Sequence, residues 1–111
     1  MIKLIASDMD GTLINSSHQI SSGNLSAIRR AQKSGIEFAI ATGRDYSMVK
    51  PFLDKYELKC EAIVMNGAEY RDCNGEVIES IGIEKSKVKA VIEEILKESS
   101  IVDIYTNEGI F

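Results

Sequence analysis

Apolar positions along the chain fall into short runs separated by segments of helical period. Ile2, Leu4, Ile5 and Ala6 form the first run, Ile36–Ala41 the second and Ala62–Met65 the third. Each has strand length and stops at polar or glycine-containing residues, the pattern of buried strands. Between the first two, Leu25, Ile28 and Ala31 recur at helical spacing while Arg29, Arg30 and Lys33 face out as a solvated face. Ser21 or Ser22 can cap that helix, and Gly35 can end it beyond the positive charge of Lys33, which predicts a helix over about 22–34. Between the second and third runs, Met48, Val49, Phe52, Leu53 and Tyr56 mark a helix over roughly 46–56. These Met and aromatic positions read as core, and Pro51, lacking an N–H, is expected to weaken or kink the helix. Strand–helix–strand units of this length are right-handed and parallel, so the class is α/β.

The period changes after Met65. Glu69–Arg71 and Glu76–Ser80 flank Asp72-Cys73-Asn74-Gly75, and Asn-Gly between short runs signals a hairpin. Lys85–Glu98 then reads as a helix rich in Lys and Glu, with Val88, Val91, Ile92, Ile95 and Leu96 as its apolar stripe. Ile101–Tyr105 alternates like a half-buried strand. This divides the chain at residues 1–80 and 81–111, with no internal repeat or low-complexity linker.

Composition narrows the function classes. The 111 residues suit one domain's worth of core, and 44% hydrophobic with 27% charged residues is ordinary for a globular protein. A net charge of −4 without a basic run argues against nucleic acid as a partner. No apolar stretch reaches the ~18 residues of a membrane span, and no secretory signal is visible. Cys60 and Cys73 have no zinc-type spacing and read as two free thiols of a reducing, cytoplasmic setting.

Candidate chemistry gathers where the apolar runs end. The first stops at Asp8-Met9-Asp10-Gly11-Thr12. Residues i and i+2 of a strand face one side, so Asp8 and Asp10 are expected to converge past the strand's C-terminal end, where open α/β sheets bind ligands. Two such carboxylates repel unless a cation lies near, and hard oxygen ligands suit Mg²⁺. Gly11 permits a tight turn and lets an anion approach backbone N–H groups. The competing reading is a plain turn, since Asp, Gly and Thr are all turn residues. Thr42, 34 positions after Asp8, is expected at the same sheet edge, followed by Gly43 and Arg44. Its alternative role is a helix N-cap. Asn66-Gly67 ends the third run, as a substrate contact or as an ordinary Asn-Gly turn. His18, the one histidine, sits in a polar loop and reads as a solvated surface residue.

The Asp-x-Asp-Gly-Thr string resembles the first motif of the haloacid dehalogenase superfamily. Ala41-Thr42-Gly43-Arg44 resembles the second motif of its Cof-like, type IIB branch. The resemblance covers essentially the whole chain. It implies the first half of a Rossmann-like phosphatase core over 1–80 and the start of an α/β cap over 81–111. It further implies Mg²⁺-dependent hydrolysis of a small phosphorylated metabolite through an aspartyl-phosphate. Asp8 and Asp10 would be catalytic and metal-binding, Met9, Gly11, Thr42 and Gly43 would hold phosphate, and Arg44 and Asn66 would reach substrate or cap. The loop carrying His18 would be a small flap beside the nucleophile. A phosphomannomutase-like transferase and a non-catalytic fragment are the alternatives. A phospho-accepting receiver domain is weaker, because the third run ends at Met65-Asn66 rather than at an acceptor Asp. The family's third-motif Lys and fourth-motif acidic pair have no counterpart here, so the chain reads as truncated and is expected not to turn over alone. Its half-built sheet is expected to favour self-association.

Overall fold

The computed structural model describes residues 1–98, 101–106 and 109–111, in two compact units, Met1–Ser80 and Ile81–Phe111. The first unit is built on β1 (Leu4–Asp8), α1 (Ser22–Lys33), β2 (Glu37–Ala41), α2 (Tyr46–Lys55), β3 (Glu61–Val64), β4 (Glu69–Arg71) and β5 (Val77–Ser80). The five strands form one sheet in the order β1-β2-β3-β4-β5. β1, β2 and β3 are parallel, and β4 and β5 continue antiparallel.

The helices start where the sequence provides caps. Ser21 accepts the N–H of Asn24 at 3.1 Å at the start of α1, and Gly35, at φ +79°, adopts the left-handed turn beyond its end. Asp45 caps α2 by accepting the N–H of Ser47 at 2.7 Å. α2 runs through Pro51, which is exposed. Phe38 and Ile40 of β2 and Ala62 and Val64 of β3 share one apolar cluster with Ile28 of α1 and Val49 and Leu53 of α2. Met9, Leu13, Ile14 and Ile20, from the segment after β1, join the same cluster. Burying that segment anchors the loop that carries the Asp motif.

Two expectations about burial change. β1 is not buried: among the described residues it has β2 as its one neighbour, and Leu4 and Ile5 are 49% and 38% exposed. A continuous apolar run signals two covered faces, but coverage depends on what packs beside the strand. Met48 of α2 is likewise exposed rather than core. The hairpin forms as read. Asp72 fixes its turn by accepting the N–H groups of Asn74 and Glu76, both at 2.9 Å.

In the second unit, α3 (Lys85–Glu98) is followed by the two-stranded ladder of β6 (Tyr105–Thr106) and β7 (Gly109–Ile110). Of the strand expected over Ile101–Tyr105, Tyr105 lies in β6, Ile104 exchanges main-chain bonds with Phe111 at 2.8 and 2.9 Å, and Ile101 is 82% exposed. Exposed Lys–Glu pairs line α3, among them Lys97–Glu94 at 2.6 Å. No described residue of this unit is buried, and Val91, Ile95 and Leu96 of the apolar stripe are exposed. Among the described residues no helix is long and apolar enough to cross a membrane.

Two measurements check this picture. Ile40→Ala removes a side chain with no solvent exposure and is expected to cost about 2–5 kcal/mol in urea unfolding. In native-state hydrogen exchange, the amides of Phe38–Ile40 should outlast those of α3, which has little buried apolar contact to resist local opening. Equal protection would contradict the burial difference between the units.

Candidate active site

The parallel register decides where the polar strand ends meet. Asp8 pairs with Ala41 across β1 and β2, and Ala41 pairs with Ile63 across β2 and β3. Asp8, Thr42 and the residues after Val64 therefore leave the sheet at one edge. Asp8, Thr42, Gly43, Asn66 and Gly67 line a single cleft there of about 320 Å³.

The β1 loop turns back at once. The N–H of Leu13 bonds the carbonyls of Asp8 and Met9 at 3.2 and 3.1 Å, and that of Ile14 bonds Met9 at 3.0 Å. Gly11 sits at φ +74°, where an L side chain is strained. Met9 is fully buried and pins the loop, while Asp8 stays exposed and accepts the Thr12 hydroxyl at 3.3 Å. The polar stretch beyond is a compact loop organised by Asn15, whose side chain accepts the N–H groups of Ser17 and Gln19 at 2.9 and 3.0 Å. His18 is exposed in it, at φ +53°.

The loops after β2 and β3 are stitched together. Thr42 donates its N–H to Ile63, Asn66 donates to Thr42 and Met65 donates to Arg44, at 2.9, 3.2 and 2.9 Å. Met65, Asn66 and Gly67 all have positive φ, of 52°, 56° and 93°. Such backbone is costly for Met and is held by its surroundings, a situation that clusters at binding sites. Gly43 makes room for the stitch, because a Cβ there would lie 3.0 Å from the Asn66 side-chain oxygen. The N-cap alternative for Thr42 does not occur, since Asp45 caps α2. Thr42 is instead buried, and its Oγ1 accepts the N–H of Arg44 at 3.2 Å. The hydroxyl proton of Thr42 is thereby left for another acceptor.

Asp10 has a partner that sequence reasoning did not find. Arg44 grips its carboxylate with two parallel bonds, Nε to Oδ2 at 2.8 Å and Nη2 to Oδ1 at 2.6 Å. The bond to Arg44 holds the Asp10 carboxyl below the ordinary carboxylate value, and the same bond raises the guanidinium. Asp10 is half exposed, so solvent screens the pair. Its contribution to stability is present above the usual carboxylate pKa and is lost as pH falls through the lowered one. The cation expected beside the two acids is thus provided for Asp10 by Arg44. With both Asp10 oxygens engaged, the oxygens left for a metal are the Asp8 carboxylate and the Asp10 main-chain carbonyl. Among the described residues no three His, Cys, Asp or Glu side chains form a metal-sized cluster. Magnesium often takes one or two carboxylates and completes its shell with water and phosphate, so this sparse donor set still fits it. The Arg44–Asp10 pair joins residues 34 apart, and nothing local in the sequence marks it. The Asp45 cap was also missed, although its signal, an Asp just before an apolar helix, is local.

Residues 5–111 match the family of haloacid dehalogenase-like hydrolases. The chain is 34% identical over 110 residues to phosphatase YwpJ of Bacillus subtilis, covering 99% of this chain and 39% of that one. It is 35% identical over 107 residues to the 5-amino-6-(5-phospho-D-ribitylamino)uracil phosphatase YwtE of the same organism, covering 96% and 37%. A solved haloacid dehalogenase-like hydrolase from B. subtilis superposes with a TM-score of 0.91 at 35% identity, over 98% of this chain and 38% of that one. The chain spans about two-fifths of the length of these curated relatives. With its Asp motif and Thr42 at one edge of a parallel sheet, the chain belongs to the haloacid dehalogenase-like hydrolases.

Proposed function

We propose that the protein carrying this chain hydrolyses a small phosphorylated metabolite by phosphoryl transfer to Asp8. One observation carries the reading. Asp8 and Thr42, far apart in sequence, line one cleft at the ends of adjacent parallel strands. The exposed Asp8 carboxylate is the nucleophile: it attacks phosphorus and the ester oxygen leaves. Asp10, freed from Arg44 as substrate enters and protonated from solvent, gives that oxygen its proton and later takes one from the water that cleaves the aspartyl-phosphate. Arg44 holds Asp10 in place until substrate enters. Thr42, whose hydroxyl already accepts from Arg44, has its proton to donate to a phosphoryl oxygen. The N–H groups of Met9 and Gly11 and the backbone of Gly43 hold the remaining phosphoryl oxygens. Asn66, fixed in the left-handed region beside Gly43, faces the part of the substrate beyond the phosphate. Mg²⁺, when bound by the Asp8 carboxylate and the Asp10 carbonyl, supplies charge neutralisation for the phosphoryl group. Residues 1–80 form part of the phosphatase core in this reading, and residues 81–111 open its cap.

The deciding assay is hydrolysis of a generic aryl phosphate with Mg²⁺ by the protein carrying this chain. Asp8→Asn should lower turnover by roughly a thousandfold or more, as loss of a nucleophile does. Asp10→Asn should slow turnover less completely and let phospho-enzyme accumulate. Near-normal turnover by Asp8→Asn would falsify the assignment. The Arg44 clamp has its own test: by NMR titration, the Asp10 carboxyl of Arg44→Ala should titrate at a higher pH than in the wild type. An unchanged midpoint would show that the clamp does not persist in solution.

A further inference from the structure

We propose that Cys60 and Cys73 are a reversible disulfide site at the open end of the β3–β4 ladder, a function independent of the phosphoryl-transfer reading. The two cysteines are 13 positions apart and are free thiols in this structure. The register of β3 and β4 runs toward both of them. Val64 pairs with Glu69, Ile63 with Tyr70 and Ala62 with Arg71. Two steps back along β3 from Ala62 is Cys60, and two steps on from Arg71 is Cys73. Continued two residues past its last pair, that register would set Cys60, just before β3, opposite Cys73, in the turn after β4. Opposed residues of an antiparallel ladder have Cα atoms about 4.5 or 5.5 Å apart, so a closure that extends the ladder by that one position would bring the pair into the disulfide window of about 4.4–6.8 Å.

A second observation puts both residues at one site. Cys60 and Cys73 line one surface cleft of about 330 Å³, with Gln32, Phe38 and Lys59 among its other walls. Their exposures differ and assign the order of events. Cys60 is 5% exposed, and burial pushes its thiol up to about 12. Cys73 is exposed in the turn after β4 and is the thiol a reagent meets first. The oxidant is a low-molecular-weight disulfide. Cys73, as thiolate, attacks one of its sulfurs, forming a mixed disulfide and releasing one small thiol. Cys60 gives its proton to solvent and attacks the Cys73 sulfur, so the protein disulfide forms and the second small thiol leaves. The protein loses two hydrogens and two electrons, and one small disulfide becomes two thiols. The bond would close the open end of the β3–β4 ladder, at the opposite end of β3 from Asn66.

The test is thiol–disulfide equilibration of the 111-residue chain with glutathione redox buffers, read by intact mass and by peptide mapping without reductant. The expected product is a monomer lighter by the mass of two hydrogen atoms, with Cys60 linked to Cys73, reversed by dithiothreitol. If the fold presents the thiols to each other, the bond should form about tenfold or more readily in native buffer than in concentrated urea, where flexible-chain closure alone sets the effective concentration. Cys60→Ala should stop at the Cys73–glutathione adduct, and Cys73→Ser should resist modification in native buffer. A stable glutathione adduct on the wild-type chain, a dimer joined through Cys73, no oxidation, or equal closure in urea would each overturn the proposal.

Discussion

The candidate site depends on the in-register ending of three parallel strands. Asp8, Ala41 and Ile63 lie across from one another, so the chain leaves β1, β2 and β3 at one edge. Everything chemical follows from that alignment. A slip of one residue would turn the strand side chains to the other face and move Phe38 and Ile40 out of the apolar cluster they share with both helices. Burial of Phe38, Ile40, Ala62 and Val64 therefore fixes the register, and the register fixes the site. The apolar core and the polar cleft are two consequences of one pairing.

Beyond the strand ends, the loops hold their shape by main-chain bonds to one another. Thr42, Arg44, Met65 and Asn66 exchange them across the β2 and β3 loops. Left-handed residues at Met65 and Asn66 are tolerated because those bonds, and the missing side chain at Gly43, leave the β3 loop few other courses. The loops of the candidate site are thus fixed by the protein's own bonds, as the proposed phosphoryl transfer would require of a preorganised site. Arg44 serves both sides of the arrangement. Its main chain takes part in the stitch, and its guanidinium crosses to Asp10 on the β1 loop.

The two units differ in what holds them. The first has a buried cluster spanning both helices and two strands. The second has a helix with surface ion pairs and a short ladder, and none of its described residues is buried. Exposed ion pairs of this kind contribute little each, so α3 depends on its own propensity and on whatever meets its apolar stripe.

Local pattern was enough for much of this. The period of Leu25 and Ile28, the cap at Ser21, the Asn-Gly hairpin and the bounds of α3 were legible because each rests on interactions within a few residues. The Asp8–Thr12 string and its distance from Thr42 were legible because strand–helix–strand geometry converts sequence spacing into position. Three features were not. The exposure of β1 depends on its having β2 as its one neighbour, and an apolar run carries no record of who sits beside it. The 101–105 segment has the alternation of a strand, yet a ladder forms only where a partner's N–H and C=O groups are in reach, and the main-chain pairing among the described residues runs from Ile104, bonded to Phe111, through Tyr105 and Thr106. The Arg44–Asp10 clamp joins residues whose encounter is set by strand order and register. The sequence by itself determined which residues could make strands, helices and turns and which carried the chemistry. Only the tertiary structure decided which charge meets which, because pairing across loops is fixed by the packing that aligns the strands and not by the residues flanking either partner.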